Sequence, residues 1–369
     1  MEHDEQQMLM LPYYHGMLLS EDAEEFLLLD GDFLVRKTEE ISDDGRVFFV
    51  LSVNVAGRVS HVVFCRHEAM AGMYTIEGNP DGFLTIEQFI NNYLGTGTSI
   101  ISGQSIFLRR PIERAGWEIS RDAIRLERSG FVVFTPRPGK KIRVTVKEMS
   151  QTNTKKRIRE FMNEVRILRQ LNHRNIIRFH GVALQHEPLM MVIEEATALT
   201  DYLKTQRRCV RAKLNMCLGA AGGLSYIHSR GIVHSDIAAK NCYYSRNMVK
   251  ISNFEMAFNG TEKAMHNIKN NQRKWLPPEA LIERRFTSAS DTWSYGVLCW
   301  HIFANGKEPY HQMTAREITG SILSGGGLRF SNETPPIFVN FVKQNVWNVT
   351  HSERYSMESV YEWLKQNIN

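Results

Sequence analysis

Gly31-Asp32-Phe33-Leu34-Val35-Arg36 sets three apolar residues in a row between a Gly-Asp turn and an arginine. Such a short uninterrupted apolar run reads as a buried strand, and its final residue is an arginine aimed inward. A buried guanidinium needs an anionic partner, and its planar fork matches phosphate oxygens two at a time. Taken by itself, the plainer reading of the segment is a strand that ends at an exposed arginine.

Outward from this strand, residues 13–111 alternate short helix and strand signals. Ser20 reads as the N-cap of a helix over Glu21 to Leu29. VFFVLSV and RVSHVVF follow as strands separated by turn residues, then a helix from Thr85 to Tyr93 and a closing strand, SIFLRR. These signals predict a small antiparallel sheet flanked by two helices, preceded by a leader over residues 1–12. Residues 112–116 read as a brief polar connector. Beyond it come strand-like segments at Ala123 to Phe134 and Lys141 to Glu148, a long helix from Lys156 to Leu171, two more strands, and then mostly helical patterns. The expected class is α+β: the small sheet domain at 13–111, then a domain at 117–369 with a β-rich lobe followed by a helical one.

Length and composition fit two globular domains. The 369 residues exceed one ordinary core, and 43% apolar with 23% charged residues leaves little room for long disordered arms. A net charge of +5, spread over 45 basic and 40 acidic residues, forms no basic stripe, so no nucleic-acid partner is expected. Five scattered cysteines without CxxC spacing point to a reducing compartment. Apolar runs fall well short of the roughly 20 residues that span a bilayer. Glu2 excludes amino-terminal myristoylation. A cytoplasmic location without a transmembrane segment follows as the expectation.

Several segments of the first domain, Tyr13-Tyr14-His15-Gly16, Ala23-Glu24, GDFLVRKT, LSV and VSHVVF, resemble in order and spacing the Src-homology-2 (SH2) domain. That resemblance implies tyrosine-phosphorylated peptides or proteins as partners and recruitment to phosphorylated membrane receptors. Arg36 is then the ligand of the phosphotyrosine phosphate, Thr38 a hydroxyl donor to it and His61 part of the pocket wall. Ser20 stands where the family usually has an arginine, which removes one charge-assisted contact of about 1.5–3 kcal/mol and predicts weaker binding.

The second domain carries separated motifs. Val144-Thr145-Val146-Lys147 reads as a strand, and Glu164 follows 17 residues after Lys147. A Lys and a Glu so placed can pair and aim the ammonium at nucleotide phosphates, although each alone is commonplace. His234-Ser235-Asp236-Ile237-Ala238-Ala239-Lys240-Asn241 resembles the protein kinase catalytic loop in its tyrosine-specific form. Lys274 to Glu279 resembles the end of the activation segment, Ser290 to Gly296 the central buried helix, and Arg354 stands where the family's arginine pairs with Glu279. The order of domains resembles the Fes/Fer group of non-receptor tyrosine kinases. The resemblance implies ATP and Mg²⁺ as ligands, with Asp236 as proton acceptor, Lys147 on the ATP phosphates, Thr145 over the adenine, and Asn241 and Asn253 at the metal.

Three departures weaken that implication. Asn253 replaces the metal-binding aspartate, so an anionic oxygen becomes a neutral amide, and Glu255 replaces the motif's glycine. The phosphate-covering loop keeps only Gly130. Ser235 replaces the arginine that receives a phosphorylated activation segment, and the stretch from Glu255 to Pro278 holds no tyrosine. Receptor and signal have gone together, while Phe254, Glu279, Asp291 and Arg354 remain. The expectation is a pseudokinase adaptor that binds phosphotyrosine peptides. The alternative is an active ATP-dependent protein tyrosine kinase.

Overall fold

The computed structural model describes residues 2–38, 48–67, 72–128, 130–149, 155–264, 272–325 and 328–368; the side chains of residues 2–5 and of Thr38 lie outside that description. The chain divides into two compact units, residues 1–162 with 180–192, and residues 163–179 with 193–369.

The first unit opens with α1 (Glu2–Met10) and α2 (Ser20–Glu24). Its main sheet holds β1 (Asp32–Thr38), β2 (Phe48–Val55), β3 (Arg58–His67), β4 (Met73–Ile76), β5 (Asn79–Phe83) and β6 (Arg110–Pro111), in the order β5-β4-β3-β2-β1-β6. Among the described residues the strand pairs are antiparallel except for β6, which runs parallel to β1. α3 (Ile86–Thr96) starts where the Thr85 side chain accepts from Gln88 N and stops at Gly97 in the left-handed region. Its apolar face, Phe89 and Ile90, packs with Phe33, Val35, Leu51, Val53 and Phe64 in one core.

Met8 and Leu11, in the segment read as a leader, are buried in that same core. Three expectations change in this unit. The helix expected over Glu21 to Leu29 ends at Glu24, since the Asp32 carboxylate draws the N–H groups of Leu28 and Leu29 at 3.1 and 2.8 Å and ties the chain into a turn. Ser20 is also not its cap: Leu19 holds that position without a side-chain bond. The closing strand shrinks to Arg110–Pro111, because Ile106 and Leu108 turn into the core and Arg109 N and Arg110 N both donate to Gly31 O.

A second sheet of the first unit contains β7 (Ile124–Leu126), β8 (Val132–Arg137), β9 (Lys140–Glu148), β10 (Phe179–Ala183) and β11 (Met190–Glu194), in the order β10-β11-β9-β8-β7. The small domain is fastened to it. His15 Nδ1 lies 2.9 Å from both carboxylate oxygens of Glu118, and its Nε2 lies 2.9 Å from Ile112 O. Carboxylate and carbonyl both accept, so both ring nitrogens donate. Gly16, at φ +62°, hugs the Leu184 carbonyl where any Cβ would collide, and Met17 N donates to that same oxygen at 2.9 Å. The connector is not loose either: Arg114 donates to Leu11 O and Tyr14 O at 3.0 Å.

Helices dominate the rest of the chain: α4 (Lys155–Leu168), α5 (Leu199–Thr205), α6 (Val210–Ser229), α7 (Pro278–Ile282), α8 (Ser288–Phe303), α9 (Ala315–Leu323), α10 (Pro336–Phe341) and α11 (Met357–Asn367). Short strands fill the gaps, among them β12 (Thr197–Ala198), β13 (Ile232–Val233), β14 (Cys242–Ser245) and β15 (Met248–Ile251). α8 is buried without a break from Ser290 to Cys299, the pattern of a helix enclosed on every side. Gly296 lets the Trp347 indole lie against its backbone, and a Cβ there would meet the ring.

Candidate functional sites

In the first unit the β ladder builds a polar pocket around Arg36. Leu34 pairs with Ser52 across β1 and β2, and Ser52 pairs with His61 across β2 and β3. Because side chains two apart share a face of a strand, Arg36, Ser52 and His61 meet on the same side of the sheet. Arg36, only 2% exposed, donates from Nε to Ser52 Oγ at 3.1 Å and from Nη1 to Leu18 O at 3.4 Å. Ser52 Oγ in turn lies 2.8 Å from His61 Nδ1, while His61 Nε2 stands 3.5 Å from Glu24 Oε1. The inward arginine is therefore as expected, and His61 is joined to it through Ser52. The Thr38 side chain lies outside the described residues. Ser20 Oγ bonds Glu21 at 3.3 Å. Ser52 and Glu24 had been quoted only inside segments, without a role.

Also in this unit, Thr145 and Lys147 stand half-buried on β9, on the face opposite Val144, which enters the lobe core with Phe134 and Val192. The hairpin joining β7 to β8 closes on itself: Glu127 N donates to Phe131 O at 2.9 Å and Gly130 N to Glu127 O at 2.9 Å. These two amides are thereby committed to protein carbonyls.

In the second unit Glu164 is fully buried on α4. Its neighbour Asn163 directs Nδ2 toward three carbonyls, Phe254 O at 3.2 Å, Glu255 O at 3.1 Å and Ala257 O at 2.9 Å. That side chain holds the 3₁₀ turn Phe254–Met256 in place, and sequence reasoning had passed over it. The catalytic-loop segment hangs on α8. Asp291 accepts from His234 N at 2.7 Å and Ser235 N at 2.9 Å, and lies 3.0 Å from His228 Nε2. Ser235, at φ +66°, sends Oγ to Met256 O at 3.3 Å.

Asp236, Asn241 and Asn253 come together. Asn241 Nδ2 donates to Asp236 O at 2.6 Å and to Asp236 Oδ2 at 2.8 Å, and Lys240 Nζ lies 3.4 Å from that oxygen. Asn253, in the left-handed region that Asn tolerates, donates from Nδ2 to Asn241 Oδ1 at 3.1 Å. At the far side of this unit Arg354 grips Glu279 through two bonds of 2.6 and 2.7 Å, with both groups buried.

The first domain and the second thus have the architecture of an SH2 domain followed by a protein kinase domain, and the family comparisons agree. The SH2 domain family matches residues 13–93, and the protein tyrosine and serine/threonine kinase family matches residues 130–364. The chain belongs to the SH2-containing protein tyrosine kinases related to Fer and Fes. It is 33% identical over 365 residues to Fer-related kinase 1 of Caenorhabditis elegans, covering 96% of this chain and 93% of that protein. Against the transforming protein Fps of avian sarcoma virus (strain PRCII) it is 31% identical, over 95% of this chain and 67% of that one. Human tyrosine-protein kinase Fer is 31% identical over 85% of this chain, which spans 39% of Fer's length.

Proposed function

We propose that this protein is a phosphotyrosine-peptide-binding signalling protein whose kinase domain transfers phosphoryl groups weakly or not at all. The observation that carries this reading is the bond from Asn253 Nδ2 to Asn241 Oδ1 at 3.1 Å. The two side chains that the family resemblance assigns to Mg²⁺ are neutral amides, and the Asn241 oxygen is already accepting a hydrogen. A hard divalent cation favours carboxylates with free lone pairs, so this donor set does not fit it. A missing charge worth about 4 kcal/mol in the transition state lowers the rate roughly a thousandfold. The closed β7–β8 hairpin argues the same way, since amides that cover nucleotide phosphates must be unspent.

The remaining residues still describe roles. Arg36, with Ser52 and His61, would take the phosphate of a phosphotyrosine in a buried, charge-assisted pocket. Thr38 would complete it. A cytoplasmic location, with recruitment to phosphorylated receptors, fits that activity; among the described residues no helix is long and apolar enough to cross a membrane.

A second reading, an active tyrosine kinase, is favoured by the preserved setting of Asp236. Asn241 and Lys240 hold its carboxylate where a substrate hydroxyl would give up its proton, and an adaptor has no need of that arrangement. Thermal-shift titration with ATP and Mg²⁺ separates the readings. The adaptor reading expects no metal-dependent rise in melting temperature, whereas a saturable Mg²⁺-dependent rise would favour the kinase.

A further inference from the structure

The second unit also holds a half-open cleft of about 530 Å³, between the later turns of α6, the first turn of α8 and the start of α11. Its size is that of small-molecule sites. We propose that it binds an uncharged, planar aromatic molecule bearing hydroxyl groups, and that occupancy is transmitted to the catalytic loop.

The lining selects that chemistry. His173 and Tyr226, stacked on one another at 4.7 Å and 13°, put two aromatic rings on one wall, with Arg230 lying over the Tyr226 ring at 4.9 Å. His173 is kept neutral because its pKa is lowered, first by burial and then by the charges of Arg174 and Lys250. Hydroxyl groups of Ser225 and Ser288 line the remaining surface, where a fatty chain would leave them without partners, beside Ser356, whose Oγ caps α11 by accepting from Ser359 N at 3.2 Å. The charged side chains on the lining do not invite an anion. Arg354 is bound to Glu279, and Glu358 places a carboxylate in the first turn of α11.

His228 also lines the cleft, and through it the site reaches the loop. Its Nε2 holds Asp291 Oδ2 at 3.0 Å, and the same carboxylate carries the amides of His234 and Ser235. With Nε2 on the carboxylate, Nδ1 is left to meet a ligand hydroxyl, which can either donate or accept. A molecule that orders His228 therefore orders the carboxylate from which the catalytic loop hangs. This holds whether or not phosphoryl transfer survives.

The test uses 2-naphthol, planar, neutral and fluorescent, with the full chain and with Ser225→Trp and Ser229→Trp, which fill the cleft from its wall and its rim. Both variants are first checked to melt as the parent does. Expected are saturable binding that ATP does not displace, at least about tenfold weakening in whichever tryptophan variant folds, and slower hydrogen exchange at the His234 and Ser235 amides when 2-naphthol is bound. Absence of saturable binding, displacement by ATP, binding undiminished in a folded tryptophan variant, or unchanged exchange at those amides would each overturn the proposal.

Discussion

Arg36 is 2% exposed and donates to Ser52 Oγ and Leu18 O, and a guanidinium held so can grip a phosphate through charge-assisted bonds. Arg36→Leu is expected to weaken phosphotyrosine-peptide binding by at least about 3 kcal/mol, more than a hundredfold, in a fluorescence polarisation titration, while the fold persists. Arg36 stands out in the sequence at the end of an apolar run, but its role and that of His61 come only from the resemblance to the SH2 domain. Ser52 does not stand out, since a serine in a strand is ordinary until pairing register sets it opposite His61. His301 gives a residue-scale prediction of another kind. Neither ring nitrogen has a partner within the described residues, and burial, aided by Lys204, pushes its pKa from 6.5 down to about 4. Between those values the unfolded chain takes up a proton that the folded chain refuses, so stability is full above about 6.5 and falls as pH drops toward 4, by about 3 kcal/mol. His301→Phe should remove most of that fall in urea titrations across this range; an unchanged pH profile would refute the assignment.

At the scale of elements, the strands and the long helices were readable from periodicity, and most ends came within a few residues. The misreadings have physical causes. α2 looked longer because Phe26, Leu27, Leu28 and Leu29 continue an apolar run, yet Leu28 and Leu29 are largely exposed and their amides are claimed by Asp32. α1 was read as a leader because its first residues are acidic, while among its described side chains Met8, near its end, is the deeply buried one. Met8→Asp should therefore lower stability by about 2–4 kcal/mol, since a charge replaces a core methionine. Denaturant unfolding of the chain would show it, and an unchanged midpoint would mean that Met8 contributes nothing to that core.

For the molecule as a whole, Asp291 under the catalytic loop and Arg354 on Glu279 keep the bonds that hold the fold. Where the family has its metal-binding aspartate, its activation-signal arginine and its glycine loop, Asn253 bonds to Asn241, Ser235 to Met256 O and two hairpin amides to hairpin carbonyls, while Lys147, Asp236 and Asn241 are retained. Sequence alone showed the replacements, but not that each replacement finds a partner, because that depends on where the chain brings Asn241 and Met256. The SH2 domain is bonded to the strand-rich lobe through His15 and Glu118, side chains 103 positions apart. Glu118→Gln breaks this buried pair and should cost about 3–5 kcal/mol of unfolding free energy; a loss below about 1 kcal/mol would show the pair to be incidental.

The central claim is that a neutral amide pair has taken the place of the metal site. Transfer of the γ-phosphate of ATP to a tyrosine peptide, measured with Mg²⁺ and with Mn²⁺, tests it most directly when the chain is compared with Asp236→Asn. The account predicts equal, background incorporation from both proteins, and turnover that Asp236→Asn abolishes would contradict it.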